Sequence, residues 1–340
     1  MVDKRLILAV AGSGKTRYLI DHLNLEERFL IVTYTNTSLN LIKSRIIKRF
    51  GFYPVNIKTQ TYFEFIYGFC IKPYVLFKYN LKGIYWEQPP DFTLYLPKTN
   101  LDKYLTKSRY LYHNRLGQFV VYENIISEIQ KRLEMFYDHF YYDEFQDLGG
   151  HDFNFMIQIA QANINFLFVG DFFQNTYVTS FDGKINTTLY SELNAYCNKI
   201  QASNITVDTK TLSNSYRCSQ TICSFVTQNL GIVIDSHRKD LTEIIPIIDK
   251  KIALSIIDNP DIIKLVYDKS HQRHFISKNW GDCKGEDDYN DTCIILNKTT
   301  AKIFAKNKFN ELKPRTKNKL YVALTRTRGN CYLIDDDLIK

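Results

Sequence analysis

Short apolar runs alternate with helical patterns over the first 70 residues of the chain. Three of these runs predict buried strands, at residues 6–10, 29–33 and 55–58. Helices are predicted to alternate with them, from about Lys15, over residues 38–50 and over residues 62–70. Because strands that alternate with helices form parallel sheets covered on both faces, the pattern indicates an α/β domain.

Residues 71–116 interrupt this alternation. The segment contains four prolines and many tyrosines and has no clear period, so we interpret it as a small insertion in the first domain. The alternation then resumes with a helix near residues 118–136, a strand at 140–143, a helix near 152–162 and a strand at 166–170.

A second α/β unit is predicted to begin near Thr211, where strand-like runs alternate again with helical stretches. These runs lie at residues 252–257, 292–296 and 331–334. A chain of 340 residues exceeds the usual size of a single hydrophobic core. We therefore expect two parallel-sheet domains, residues 1–210 and 211–340, with a cleft between them.

The composition, with 45% hydrophobic and 24% charged residues, is that of a globular protein. No apolar run approaches the roughly 18 residues of a membrane helix, and no signal peptide is evident, so we expect a soluble cytoplasmic protein without a membrane partner. Its seven cysteines include no C-x-x-C pair, which favours reduced thiols over a zinc site. The net charge of +8 permits a polyanionic partner without requiring one.

Residues 9–16, AVAGSGKT, form a glycine-rich loop between the first predicted strand and the first predicted helix. Backbone N–H groups at such a loop and helix start can hold phosphate oxygens. Lys15 would reach the β- and γ-phosphates, and the Thr16 hydroxyl would bind Mg²⁺. The residues expected to contact the nucleotide are Ala11, Gly12, Ser13, Gly14, Lys15, Thr16 and Arg17.

A pair of carboxylates, Asp143 and Glu144, ends a strand that is predicted to lie in the same sheet. At this position Asp143 would be a second Mg²⁺ contact. Glu144 would polarise the attacking water as a general base. The two motifs together indicate an NTPase with a phosphate loop.

Further motifs follow in a fixed order and resemble those of the UvrD/Rep family of superfamily 1 DNA helicases. They read IVTYTN (31–36), TQTY (59–62), DEFQD (143–147), VGDFFQNTY (169–177), LSNSYRCS (212–219), KG (284–285) and LYVALTRTR (320–328). The resemblance covers nearly the whole chain. It implies two RecA-like domains and ATP hydrolysis that drives movement 3′ to 5′ along single-stranded DNA or a partial duplex.

The resemblance also implies roles for residues that the phosphate loop does not explain. Arg217 and Arg326 would reach from the second domain to the γ-phosphate, and Gln174 would sense that phosphate and couple it to the DNA strand. Tyr216 would stack on the nucleotide base, and Asp287 would contact the ribose. Hydrolysis would then depend on closure of the two domains.

Position in the motifs makes seven residues candidates for contact with DNA: Thr33, Tyr34, Asn36, Thr61, Tyr62, Phe181 and Lys284. Stacking on bases is one explanation for the aromatic members. Core packing is the other explanation for Tyr34, Tyr62 and Phe181. The 24 tyrosines and 23 phenylalanines of the chain do not decide between them, because the codons of an AT-rich bacterial or viral genome favour the same residues.

The chain departs from the family pattern in several places, and two of the departures concern missing segments. Only 14 residues precede Lys15, so we expect the upstream glutamine motif, which reads adenine in the family, to be absent. The 66 residues between Arg217 and Lys284 are too few for the large accessory subdomain of the family. A second hypothesis is therefore a non-processive, DNA-dependent NTPase switch that regulates a protein partner, such as a nuclease in DNA repair, phage or defence systems.

Overall fold

A computed structural model describes residues 2–176, 185–286 and 289–340, and in it the chain divides into two compact units. The first unit comprises Met1–Ile7, Thr16–Gly170 and Val178–Asp208. The second comprises Leu8–Lys15, Asp171–Tyr177 and Thr209–Lys340. Two short segments that precede the main body of the second unit in the sequence, Leu8–Lys15 and Asp171–Tyr177, therefore belong to that unit.

A six-stranded sheet forms the core of the first unit, with strand order β3-β2-β6-β7-β1-β8. The strands of this unit are β1 (Lys4–Leu8), β2 (Phe29–Thr33), β3 (Ile57–Thr61), β4 (Gly83–Tyr85), β5 (Tyr110–Tyr112), β6 (His139–Asp143), β7 (Asn165–Gly170) and β8 (Thr206–Asp208). β2 runs parallel to both of its neighbours, and all five of its residues are buried, as expected for an inner strand of a covered parallel sheet. β4 and β5 pair with each other in a separate parallel ribbon.

Within the described residues, seven α-helices accompany these strands: α1 (Lys15–Asp21), α2 (Asn36–Phe50), α3 (Lys72–Tyr79), α4 (Leu116–Tyr122), α5 (Ile126–Phe136), α6 (Gly150–Ile159) and α7 (Leu193–Gln201). α2 illustrates why they form where they do. The hydroxyl of Thr35 accepts the backbone N–H of Ser38 and caps its start, and Gly51 ends it in the left-handed conformation with φ 80°. Leu39, Ile42 and Ile46 form its buried face.

The structure corrects two predicted helices of the first unit. The helix expected near residues 118–136 is divided into α4 and α5, because Asn124 adopts the left-handed conformation with φ 54°. The helix expected at residues 62–70 is a π-helical segment, Glu64–Ile71, which continues directly into α3. Part of the segment interpreted as an insertion is therefore helical and continuous with the domain.

The second unit contains a five-stranded parallel sheet in the order β11-β15-β14-β12-β13. Its strands are β9 (Asn214–Ser215), β10 (Asp235–Ser236), β11 (Ile244–Ile247), β12 (Ile263–Val266), β13 (Ser277–Asn279), β14 (Thr292–Leu296) and β15 (Cys331–Asp335). Its helices are α8 (Gln220–Leu230), α9 (Lys250–Asp258), α10 (Lys298–Phe304) and α11 (Pro314–Leu324). Parallel sheets in an α/β arrangement are thus present in both units, as the sequence predicted.

One strand prediction in the second unit is wrong. Residues 252–257 belong to α9, whose start is capped by the Asp249 side chain accepting the Ile252 N–H. Ala253, Ile256 and Ile257 are its buried residues, at the spacing of one helical face. A short apolar run does not distinguish a strand from a buried helical turn. The aspartate before the run, a common residue at helix starts, was the sequence signal that would have indicated a helix.

Three further features bear on the function classes. In the part of the chain that the structure describes, no helix has the length and apolar character needed to cross a membrane. All seven cysteines are free thiols. Among the described residues, no cluster of three or more His, Cys, Asp or Glu side chains is placed to hold a metal ion.

Candidate functional site

The carboxyl ends of three neighbouring strands in the first unit carry candidate site residues. Thr33 ends β2 and pairs in register with Thr61 at the end of β3 and with Asp143 at the end of β6. Ligands of open parallel sheets bind at this edge. The sheet therefore brings Asp143 into line with two of the residues that sequence reasoning connected with DNA.

Thr16 and Asp143 are in direct contact in the first unit. The Thr16 hydroxyl donates a hydrogen bond of 2.8 Å to Oδ2 of Asp143, and Asp143 is only 1% exposed. A hydroxyl beside a carboxylate, with waters and phosphate oxygens completing the shell, is a donor set that Mg²⁺ accepts. The two residues predicted to hold the metal thus fit that ion.

Glu144 has an unusual backbone conformation. Its φ of 61° and ψ of 46° lie in the left-handed region, which non-glycine residues seldom occupy and which is found at functional sites. The Glu144 N–H donates to Oδ1 of Asp143 at 3.0 Å, and the Gln146 amide donates to the Glu144 carboxylate. The left-handed turn therefore gives the carboxylates of Asp143 and Glu144 separate hydrogen-bond partners.

The glycine-rich loop that was predicted to hold phosphate, here called the phosphate loop, belongs to the second unit up to Lys15 and lies against residues 212–217. The Val10 N–H donates to the Leu212 carbonyl at 2.9 Å, and the Tyr216 N–H donates to the Gly12 carbonyl at 2.9 Å. A Cβ atom on Gly12, whose φ is 72°, would lie 2.6 Å from Cβ of Arg217. Only glycine fits this position, and its small size places Arg217 directly beside the loop.

A chain of buried hydrogen bonds links the phosphate loop to Arg326. The Ala11 N–H donates to the Tyr321 hydroxyl at 2.8 Å, and this hydroxyl donates to Oδ2 of Asp171 at 3.0 Å. The Gln174 amide donates to the same Asp171 oxygen at 2.9 Å, and its Oε1 accepts from Arg326 at 3.4 Å. Burial and the neighbouring Asp171 carboxylate hold the pKa of Tyr321 well above its usual value, so the hydroxyl keeps its proton and can donate.

Both candidate arginine fingers are buried in the second unit. Arg217 donates to the Thr325 carbonyl at 3.2 Å, and Arg326 donates to the Glu286 carbonyl at 3.0 Å. Their exposed fractions are 9% and 1%. These backbone carbonyls, together with the Gln174 carbonyl that accepts from Arg326, orient the two guanidinium groups.

Tyr216 is exposed, and its ring stacks on that of His237 with centroids 4.1 Å apart and planes 19° apart. An exposed ring of this kind can receive a base on its open face. The other candidate for nucleotide contact in this unit, Asp287, lies outside the described residues.

The candidate DNA contacts differ in exposure. Asn36 is exposed and Tyr34 is half-buried, whereas Tyr62 is fully buried. The rings of Tyr34 and Tyr62 stack with centroids 6.1 Å apart. Tyr62 is therefore a core residue in this structure, which is the second of the two explanations considered for it.

The two candidate threonines are also buried. Thr61 forms a capping box with Glu64, whose carboxylate accepts the Thr61 N–H at 2.7 Å. The buried Thr33 hydroxyl has no hydrogen-bond partner among the residues that the structure describes. Lys284 is half-buried, and Phe181 lies outside the described residues.

Sequence reasoning missed two residues of the site, Asp171 and Tyr321. Both occur inside motifs that had been recognised, but neither was given a role. A polar residue within an otherwise apolar stretch was the available signal. Tyr321 lies in α11 among buried apolar residues from Leu320 to Leu324, where its hydroxyl requires a partner.

Comparisons with known proteins give the fold alone. No protein-family model matches the chain, and no curated protein sequence matches it. The chain is similar in structure to the arterivirus nonstructural protein 10 helicase in complex with DNA, with a TM-score of 0.51 and 11% identity over 98% of this chain and 62% of that one. A second structure of arterivirus nonstructural protein 10 gives a TM-score of 0.50 and 12% identity over 98% and 61% of the two chains.

The chain spans about three fifths of the length of these helicases. At 11–12% identity, the likeness shows that this chain shares the fold of these two structures. It does not distinguish the UvrD/Rep family from other helicases of this fold.

Proposed function

We propose that the chain hydrolyses ATP with Mg²⁺ and uses the energy to move along single-stranded DNA. One observation carries this proposal: the phosphate loop, Arg217, Gln174 and Arg326 are brought together in the second unit from four separate parts of the sequence. The shared fold with a viral helicase that was solved in complex with DNA supports it. Membership of the UvrD/Rep family and movement from 3′ to 5′ rest on the sequence motifs.

The residues divide the chemistry between them. In phosphoryl transfer the negative charge spreads over the γ-phosphate oxygens, and fixed cations stabilise the transition state. Lys15, Arg217 and Arg326 are the candidates for those cations. Glu144 would accept the proton of the attacking water, and Thr16 with Asp143 would hold Mg²⁺, which neutralises phosphate charge when bound.

Coupling to DNA would run through Gln174. Its amide is fixed by Asp171, and its carbonyl faces Arg326, so a movement of Gln174 also moves a candidate finger. An ATPase of this design would respond to strand binding with a change in turnover.

The alternative is a DNA-dependent NTPase switch that does not translocate and that regulates a protein partner. One observation favours it. The interval between Arg217 and Lys284 is occupied by α8, β10, β11, α9, β12 and β13, all within the second unit, and so it contains no separate accessory subdomain.

The deciding experiment is ATP hydrolysis by the purified chain with and without single-stranded DNA. We expect DNA to stimulate turnover, and we expect Glu144→Gln to reduce it by about 10²- to 10⁴-fold while nucleotide binding persists. Glu26→Gln, an exposed carboxylate in the same unit, is the matched control. Undiminished turnover in Glu144→Gln would refute the assigned base. Turnover that DNA stimulates without translocation would favour the switch, and turnover that DNA does not change would contradict both hypotheses.

A further inference from the structure

A row of aromatic rings extends across the first unit from the end of β2 to the β4–β5 ribbon. Tyr34 meets Phe63 edge-on with centroids 5.6 Å apart, and Phe63 meets Trp86 edge-on at 4.7 Å. Trp86 in turn stacks on His113 with centroids 6.0 Å apart and planes 25° apart. Four side chains from separate parts of the sequence thus form one continuous aromatic surface.

Trp86 is the exposed part of this row. It is 59% exposed, although tryptophan carries the largest side chain, and Tyr34, Phe63 and His113 are half-buried. The rings beneath it restrict its movement, and Nδ1 of His113 is anchored 3.2 Å from the Tyr85 carbonyl. An exposed indole held by its neighbours costs little entropy to use as a binding surface.

The ribbon also places cations near the rings. Trp86 and His113 directly follow β4 and β5, and the exposed Lys82 and Arg109 directly precede the same two strands. Each cation lies four residues before its ring, so roughly 13 Å of extended chain separates their Cα atoms. Each strand of the ribbon thus has a cation at one end and an aromatic ring at the other.

Charge is concentrated in this part of the chain. Residues 71–116 contain eight Lys or Arg and three Asp or Glu, a net charge of +5 out of +8 for the whole sequence. Lys103 and Arg115 are buried and bind neighbouring backbone carbonyls, and Lys78 forms an ion pair with Glu123. The exposed positive charge of the segment therefore comes from its other basic residues, Lys72, Lys82, Lys98, Lys107 and Arg109. An aromatic surface inside a basic region is the combination that binds bases and phosphates together.

We propose that Trp86, supported by Phe63 and His113, is a stacking platform for the bases of single-stranded nucleic acid. The row begins at Tyr34, and the residue before it, Thr33, pairs with Asp143 across the sheet. A nucleic-acid strand bound on this platform would therefore approach the β-strand ends that carry the candidate catalytic residues. The inference rests on the proposed function for its ligand, but it assigns a binding surface to residues that the motifs do not include.

Binding can be followed through Trp86 itself. The chain has two tryptophans, and the other, Trp280, is fully buried in the second unit. We expect a short oligothymidylate to quench the fluorescence of the exposed indole, and an abasic oligomer of the same length to quench it much less, because stacking needs a base. The same titration with oligouridylate compares DNA with RNA.

Substitution provides the quantitative test. Because Trp86→Ala removes one base–aromatic stack, we expect this variant to bind oligothymidylate about 5- to 150-fold more weakly than the wild type. We expect Trp86→Phe to restore part of the affinity. Phe92→Ala removes another exposed aromatic residue from the same segment and serves as the control. Affinity is measured by fluorescence anisotropy of a labelled oligonucleotide, without ATP.

The outcomes separate this inference from the proposed function. Normal binding by Trp86→Ala, or equal quenching by the abasic oligomer, would overturn the platform while leaving the motor intact. Quenching and weaker binding in a protein that fails to hydrolyse ATP would uphold the platform and refute the motor. A wild-type chain with no affinity for oligonucleotides would overturn both.

Discussion

The two groups of candidate catalytic residues are built in different ways. In the first unit, Thr16, Asp143 and Glu144 lie at strand or helix ends, and neighbours in one sheet set their positions. In the second unit, the phosphate loop, Gln174 and Arg326 are joined by hydrogen bonds through Asp171 and Tyr321. The first group therefore depends on local backbone geometry, and the second depends on a network that spans the sequence.

This difference has an energetic consequence. Replacing Asp143 removes the acceptor of the Thr16 hydroxyl and the Glu144 N–H, but the ladder of backbone hydrogen bonds still holds the strand. A residue in a buried network leaves its partners unsatisfied when it is removed, which costs about 1–3 kcal/mol for each orphaned group. Substitutions in the second unit should therefore disturb several functional residues at once.

The largest effect is expected for Arg326→Ala. Removing an arginine finger lowers turnover by about 10³- to 10⁵-fold, while nucleotide affinity should stay nearly unchanged. Arg315→Ala, an exposed arginine of α11, is the control. Parallel loss of affinity and turnover, measured by nucleotide titration and steady-state hydrolysis, would show that Arg326 supports the fold of the site and is not a finger.

The next effect concerns Asp152 in the first unit. This carboxyl group is fully buried, and its burial raises its pKa to about 7. Between the pKa of the unfolded chain, about 4, and about 7, the native state binds more protons, so stability falls as pH rises. Asp152→Asn should remove this dependence.

Thermal or urea unfolding from pH 4 to pH 8 checks this prediction. We expect Asp152→Asn to be more stable than the wild type at pH 8 by about 2–4 kcal/mol, with the difference vanishing near pH 4. Asp91→Asn, which replaces an exposed carboxylate, is the control for Asp152→Asn. A stability profile with the same slope in Asp152→Asn and the wild type would rule out this carboxyl as the titrating group.

The smallest effect tests the network directly. Tyr321→Phe removes only the hydroxyl that joins Ala11 to Asp171, and we expect turnover to fall by about 5- to 150-fold, the equivalent of about 1–3 kcal/mol. Nucleotide affinity should change less than turnover. Tyr332→Phe, at a half-buried tyrosine, is the control. Unchanged turnover in Tyr321→Phe would mean that the second group of catalytic residues, like the first, depends on local backbone geometry and not on the network.

Several elements of the fold were predictable because local sequence decides them. The strand at residues 29–33 and the strand at 292–296 have the predicted bounds, since each is an apolar run with clear ends. The division between α4 and α5 was not predictable, because an asparagine in the left-handed conformation leaves little trace in a helical pattern. Residues 252–257 were misassigned because an apolar run of that length fits either a strand or a helix.

By itself, the sequence determined the α/β class, through apolar runs that alternate with helical patterns. It also predicted a phosphate loop and a pair of carboxylates, because each is a short pattern whose chemistry follows from adjacent residues. The tertiary structure decided the rest. It buried Tyr62, joined Tyr321 to Asp171 and the loop, and assembled Trp86 with Phe63 and His113. These outcomes depend on contacts between residues far apart in the chain, and such contacts exist only after the sheets and helices have packed.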